Sequence, residues 1–232
     1  QRGRRNVRDQ HPWLSKYPNH VRWDAEIPER PLYALLDDSV FKFPTNESMD
    51  FLGKTYTYSE LGDMVTHAAA GFQELGVGKG VKVGLFLPNC PQFIVSYFGI
   101  LKAGGTVVNY SPLYSEEELL HQIEDSETDV MVTLSLEALY PKMGAMLQKS
   151  RVQKLVVGAL QDVLPFPKNL LFPLVKRKEI AKVPNDSSHV AFRQLLNNEG
   201  RYSSQDIDVN EDIAVLQYTG GTTGVSKGAM LT

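Results

Sequence analysis

The chain has 232 residues, 42% hydrophobic and 22% charged, enough apolar material to bury the core of one large or two small domains. Its formal charge of -3 provides no basic field to gather phosphate backbones, which argues against nucleic acid as a partner. A single cysteine, Cys90, excludes an internal disulfide framework and fits the reducing cytoplasm, where a structural role suits it better than a reactive one.

The amino end carries Arg2, Arg4, Arg5 and Arg8 without a following apolar run, so it reads as a solvated arm and not a secretory signal. The apolar run Phe93 to Leu101 falls far short of the roughly 20 residues that span a bilayer. Residues 1–50 are read as an arm and lead-in, and residues 51–232 as part of a larger domain.

Thr57 and Glu60 stand at capping-box spacing, and Leu61, Met64, Val65, Ala68, Ala69, Phe72 and Leu75 then share one helical face. Gly76 and Gly78 are expected to end this helix in left-handed conformation, ahead of a buried strand over Val81 to Leu87. Asn89 is the expected cap of the next helix, which opens at Pro91 and breaks at Gly104 and Gly105. A strand over Thr106 to Tyr110 follows. Ser115 and Glu118 repeat the capping box before Leu119, Leu120 and Ile123, and Val130 to Leu134 is the next strand. A helix over Leu136 to Gln148 leads to a strand over Val152 to Val157.

This alternation predicts an α/β fold: repeated β-α crossovers that form a mostly parallel sheet flanked by helices. Residues 158–189 interrupt the rhythm with Pro165, Pro167, Pro173 and Pro184 and the basic cluster Lys176, Arg177, Lys178 and Lys182. That insert also holds Leu170, Leu171, Phe172, Leu174 and Val175. Its composition has two readings, a surface excursion packed on its own domain or a segment resting on an anionic membrane.

After a strand over Ile213 to Gln217 the chain reads Tyr218, Thr219, Gly220, Gly221, Thr222, Thr223, Gly224, Val225, Ser226, Lys227, Gly228. Glycines let backbone approach an anion, threonine hydroxyls and amides donate hydrogen bonds, and Lys227 brings a mobile positive charge, so the segment suits a polyphosphate. A Walker-type loop needs glycine before the lysine and serine or threonine after it, but Ser226 and Gly228 hold those positions. A structural glycine-threonine turn does not call for this concentration of donors.

The segment resembles the signature loop of the adenylate-forming superfamily, which contains acyl-CoA synthetases, luciferases and peptide-synthetase adenylation domains. Most members carry proline at the position of Ser226, and serine is frequent at that of Gly220. The resemblance extends from Thr55–Leu61 through Leu101–Gly105. Asn109 to Tyr114, the acidic helix start at Glu116 and the Gly220-Gly221 pair resemble bacterial long-chain fatty acid:CoA ligases.

The resemblance implies the large amino-terminal domain of an acyl-CoA synthetase-like fold, with ATP, Mg²⁺ and coenzyme A as the groups used and a fatty acid as substrate. It implies that Thr219 approaches Mg²⁺ and the phosphates, that Thr222, Thr223 and the glycine amides hold the β- and γ-phosphates, and that Lys227 neutralises them. Thr219 and Lys227 are thus the expected catalytic residues. Tyr218, Gly220, Gly221, Gly224 and Gly228 complete the expected nucleotide-binding set. A homodimer and peripheral contact with the inner face of the membrane are further expectations.

Because the chain ends at Thr232 inside the apolar run Ala229, Met230, Leu231, it reads as an inactive piece of a longer ligase. Adenylating enzymes for other acids and a non-catalytic fold-only fragment are the competing readings. None of His11, His20, His67, His121 and His189 stands at metal-ligand spacing. Glu116, Glu117 and Glu118 suit the positive end of a helix dipole better than paired acid-base catalysis.

Overall fold

The computed structural model describes residues 11–18, 20–219 and 226–232. The arginines of the arm and the residues Gly220, Gly221, Thr222, Thr223 and Gly224 lie outside the described residues. The chain divides into two units, Gln1–Arg30 and Pro31–Thr232. In the first, a 3-10 turn over Pro12–Lys16 accompanies a small aromatic cluster in which the His11 ring lies 4.9 Å from Trp13 and 4.4 Å from Trp23.

The second unit begins with helix α1 (Ala34–Lys42) and the antiparallel hairpin β1 (Glu47–Phe51) and β2 (Lys54–Thr57). Its turn places both Leu52 and Gly53 at positive φ, with the Gly53 amide donating to Asp50 Oδ1 at 3.3 Å. Helix α2 (Tyr58–Glu74) starts on the expected capping box: Glu60 N–H donates to the Thr57 hydroxyl, and Thr57 N–H donates to the Glu60 carboxylate at 2.8 Å. Those bonds hold the Glu60 carboxyl below the usual range. Gly76 takes the expected left-handed conformation after α2, whereas Gly78 does not and Gly80 does, forming a second turn before β3 (Lys82–Leu85).

Helix α3 (Pro91–Ala103) corrects the expected cap. With Pro91 in the first turn, the N-cap is Cys90 and not Asn89; its side chain makes no capping hydrogen bond, although the Phe93 and Gln92 amides act to lower its thiol pKa. Burial nevertheless dominates and pushes the Cys90 thiol up to about 11, which leaves it un-ionised and suits a structural role. Strand β4 (Thr106–Asn109), helix α4 (Glu116–Ser126), strand β5 (Thr128–Leu134), helix α5 (Tyr140–Lys149) and strand β6 (Lys154–Gly158) follow. Helix α5 starts later than the hydrophobic pattern suggests because Pro141 sits in its first turn.

Within the proline-rich stretch the chain forms a 3-10 turn (Leu160–Val163), a short helix α6 (Lys168–Val175) and a second 3-10 turn (Arg177–Glu179). Strand β7 (His189–Ala191), helix α7 (Phe192–Leu195) and the hairpin β8 (Val215–Thr219) and β9 (Lys227–Leu231) complete the unit.

The seven-stranded sheet has the order β7-β6-β5-β3-β4-β8-β9, parallel throughout except for the β8–β9 pair. The crossover from β3 to β4 runs one way along the sheet and the crossover from β4 to β5 runs the other. Right-handed connections therefore set α3 and α4 on opposite faces. Two helix pairs follow from this, α2 against α3 and α4 against α5. Leu85, Val107, Val108, Met131, Val132, Leu155 and Val156 are buried between the layers, as parallel strands covered on both faces require. The loops after β3 and β4 leave toward opposite faces, which opens a crevice at the carboxyl ends of the strands, where ligands of open α/β sheets sit.

Candidate functional site

The glycine- and threonine-rich segment begins at the carboxyl end of β8, beside that crevice. Pairing across the hairpin brings its two shoulders together, with Thr219 opposite Lys227 and Tyr218 opposite Gly228. Strand alternation then separates their roles. Thr219 and Lys227 are exposed beside the loop, while Tyr218 points into the core. Thr219 and Lys227 thus have the access that phosphate contacts require. The remaining candidates, Gly220, Gly221, Thr222, Thr223 and Gly224, lie outside the described residues.

Tyr218 and Gly228 take a packing role. A Cβ on Gly228 would meet Tyr218 Cε2 at 2.9 Å and Cζ at 3.0 Å, so the absence of a side chain on β9 gives the ring its seat. The Tyr218 hydroxyl donates to the Asp125 carboxylate at the end of α4. Burial and the adjacent Asp125 charge both raise the phenol above its ordinary value, so it keeps its proton. Sequence reasoning missed Asp125. The two residues are 93 positions apart, and an exposed aspartate near a helix end gives no sign of so distant a partner.

Further polar contacts brace the end of β4 beside β8. Asn109 Nδ2 donates to Gln217 Oε1 at 2.9 Å across the strand ends, and Gln122 Nε2 of α4 donates to the Asn109 carbonyl at 2.9 Å. The Tyr110 hydroxyl lies 3.0 Å from Ser126 Oγ and 2.8 Å from Thr128 Oγ1, and burial pushes its pKa up to about 12. Its ring passes over Gly84 of β3, where a Cβ would come within 2.7 Å of Tyr110 Cε2 and 2.0 Å of Met131 Sδ. Two tyrosines at the ends of adjacent strands, Tyr110 just after β4 and Tyr218 within β8, are therefore each seated on a glycine and tied by the hydroxyl to the α4 end.

Asn109 Oδ1 and Gln122 Oε1 are buried acceptors without a hydrogen-bond partner in this network. For Mg²⁺, the chain presents the exposed Thr219 hydroxyl. Among the described residues, no three His, Cys, Asp or Glu side chains are grouped to hold a metal ion. A single hydroxyl oxygen of this kind suits a cation that takes most of its ligands from elsewhere, as Mg²⁺ does.

Of the other titratable groups singled out above, Glu116, Glu118 and His189 have structural partners. Glu118 closes the second capping box with Ser115, and Glu116 pairs with Lys149 at 2.6 Å. His67 and His121 are ordinary residues of α2 and α4. At the far edge of the sheet a cavity of about 390 Å³ lies against the carboxyl ends of β6 and β7. His189 on its wall has both ring nitrogens engaged, by Asp186 at 2.7 Å and by the Tyr140 hydroxyl at 2.9 Å.

Comparison with known proteins bears on this arrangement. A family model described as AMP-binding enzyme matches residues 36–232. The chain is 39% identical over 229 residues to a long-chain-fatty-acid CoA ligase of Bacillus subtilis, a match covering 97% of this chain and 40% of that protein. It is 36% identical over 227 residues to the ligase of the same name from Escherichia coli O157:H7, covering 95% and 40%. The chain thus spans about 40% of the length of the curated relatives it matches. Among solved structures, a long-chain-fatty-acid-CoA ligase (FadD1) from Archaeoglobus fulgidus superposes with a TM-score of 0.69 at 23% identity. That match covers 90% of this chain and 38% of the other, a likeness of fold.

Proposed function

The chain belongs to the AMP-binding enzyme family, and from that premise we propose that it is the amino-terminal part of an ATP-dependent long-chain fatty acid:CoA ligase. The observation that carries this reading is the β8–β9 register, which sets an exposed threonine opposite an exposed lysine at the base of a glycine-rich loop. The names of the relatives support the long-chain acid as substrate.

In the reaction a fatty carboxylate oxygen attacks the α-phosphorus of ATP and the bond to pyrophosphate breaks. The thiol of coenzyme A then attacks the acyl carbonyl, releases AMP and leaves its proton to solvent. Neither step needs a protein nucleophile, so the protein's part is positioning and charge stabilisation. Lys227 lies against the β- and γ-phosphates and stabilises the charge that gathers on departing pyrophosphate. Thr219 would offer its hydroxyl to the same oxygens and to Mg²⁺, and Thr222, Thr223 and the amides of Gly220, Gly221 and Gly224 would supply further donors to the phosphates. When bound, Mg²⁺ supplies charge neutralisation across the phosphates. Tyr218 and Gly228 hold the hairpin from which these groups project.

The isolated chain is inert on this reading, since it spans only 40% of the length of the ligase it matches. Peripheral membrane attachment and a homodimer complete the proposal; sedimentation of the purified full-length protein checks the dimer. In the full-length protein, Lys227→Ala is expected to lower palmitate-dependent ATP-pyrophosphate exchange about 100-fold or more, the scale for loss of one charge-stabilising donor. Unchanged exchange would remove the loop from the chemistry. Exchange supported by acetate or an amino acid, with none by palmitate, would replace the long-chain reading by another acid.

A further inference from the structure

Helix α6 presents its apolar side to solvent. Leu170, Leu171, Leu174 and Val175 are 61%, 50%, 75% and 73% exposed, and Phe166 just before them is 79% exposed. At about 100° per residue these four helical positions fall in one arc of roughly 140°. Asn169, Phe172 and Pro173, on the other side, are the partly buried ones. The helix packs on the Leu160–Val163 turn, and Lys168 Nζ donates to the Leu52 carbonyl at 2.9 Å, so the segment is tied to the β1–β2 hairpin. A surface helix ordinarily turns its aliphatic stripe inward, and a contiguous exposed stripe marks an interaction surface.

The charge around this stripe is one-sided. Residues 168–182 contain Lys168, Lys176, Arg177, Lys178 and Lys182 against the single acid Glu179, in a chain whose overall charge is -3. Lys176 pairs with Glu179 at 2.5 Å, whereas Arg177, Lys178 and Lys182 are exposed, with no ion pair among the described residues. Their distribution selects the occupant. A second copy docking across a twofold axis would bring this basic cluster against itself. A membrane bearing acidic headgroups accepts both parts: aliphatic side chains enter the boundary of the acyl region, while cations on long stems stay among the phosphates.

We propose that the outward face of α6, together with the basic turn Lys176–Lys182, docks the protein on an anionic lipid membrane. This gives the peripheral attachment suggested above a definite surface, and it stands independently of the ligase chemistry because lipid binding is read without substrates.

The test uses the full-length protein and sedimentation with vesicles of phosphatidylcholine alone, or of phosphatidylcholine containing phosphatidylglycerol. Binding is expected only to the anionic vesicles and to weaken with salt. The double variant Arg177→Glu, Lys178→Glu should bind at least about tenfold more weakly, since each basic residue at such a surface contributes roughly fivefold. Leu170→Ser with Leu174→Ser should also bind more weakly without loss of ligase activity on detergent-dispersed palmitate, which separates docking from misfolding. A Leu174→Cys variant should react with a water-soluble maleimide in buffer and be shielded by anionic vesicles. Four results would each overturn the proposal: no vesicle binding, equal binding to neutral vesicles, unaltered binding by both double variants, or a Leu174→Cys thiol already shielded before lipid is added.

Discussion

The two edges of the large sheet are built on opposite plans. At the β8–β9 edge, side chains near the strand end turn inward. Tyr218 is seated over Gly228 and bonded to Asp125, while Tyr110 is bonded to Ser126 and Thr128. In the connection from β6 to the edge strand β7, α6 turns Leu170, Leu171, Leu174 and Val175 outward. The proposed phosphate contacts of Thr219 and Lys227 call for rigid shoulders, which buried hydrogen-bonded tyrosines provide. A surface that meets a fluid partner needs exposed aliphatic and basic groups, and it contributes little to folding.

This contrast is open to mutation. The largest stability effect is expected for Gly228→Ala, whose Cβ would stand 2.9 Å from a ring held in place at its hydroxyl. Overpacking of this kind costs about 2 kcal/mol, read as a lower urea midpoint of the full-length protein. A Tyr218 that swings aside without loss of stability would show the shoulder to be soft.

Tyr110→Phe should cost about 1 kcal/mol near neutral pH through loss of its buried hydrogen bonds. It should also change the alkaline limb. The Tyr110 phenol is raised to about 12 in the fold, against about 10 in an unfolded chain. Its contribution is fully present below about pH 10 and is lost as pH rises toward 12, so the variant's unfolding midpoint should depend less on pH across that window.

The smallest effect belongs to the other edge. Leu174→Ser removes an aliphatic side chain that is 75% exposed and should shift stability by less than about 0.5 kcal/mol. A loss beyond about 1 kcal/mol in the full-length protein would mean that this face is buried there, and the contrast between the edges would fail.

The legible parts of the fold were those whose causes are local. Thr57 with Glu60 and Ser115 with Glu118 specify helix starts within four residues, and both capping boxes form with both reciprocal bonds. The alternation of helix and strand from Thr57 to Val157 was likewise readable, since each amphipathic stripe and each apolar run reports its own burial. The β1–β2 hairpin was not foreseen: its turn uses Leu52 and Gly53 at positive φ, and leucine in that position carries no turn signal. At Cys90 a local rule misled, because Asn89 is the better capping residue while Pro91 draws the helix start one position later.

For the site, the sequence by itself determined the composition of the glycine- and threonine-rich segment and the exclusion of a Walker pattern, because glycine, threonine and lysine carry their chemistry wherever the chain takes them. Tertiary structure alone decided which of its shoulders face solvent, and it did so through the pairing of β8 with β9. It also decided that Asp125 should hold Tyr218 and that α6 should face outward. Strand order and helix orientation are set by burial summed over the whole unit, and no short window of residues contains that sum.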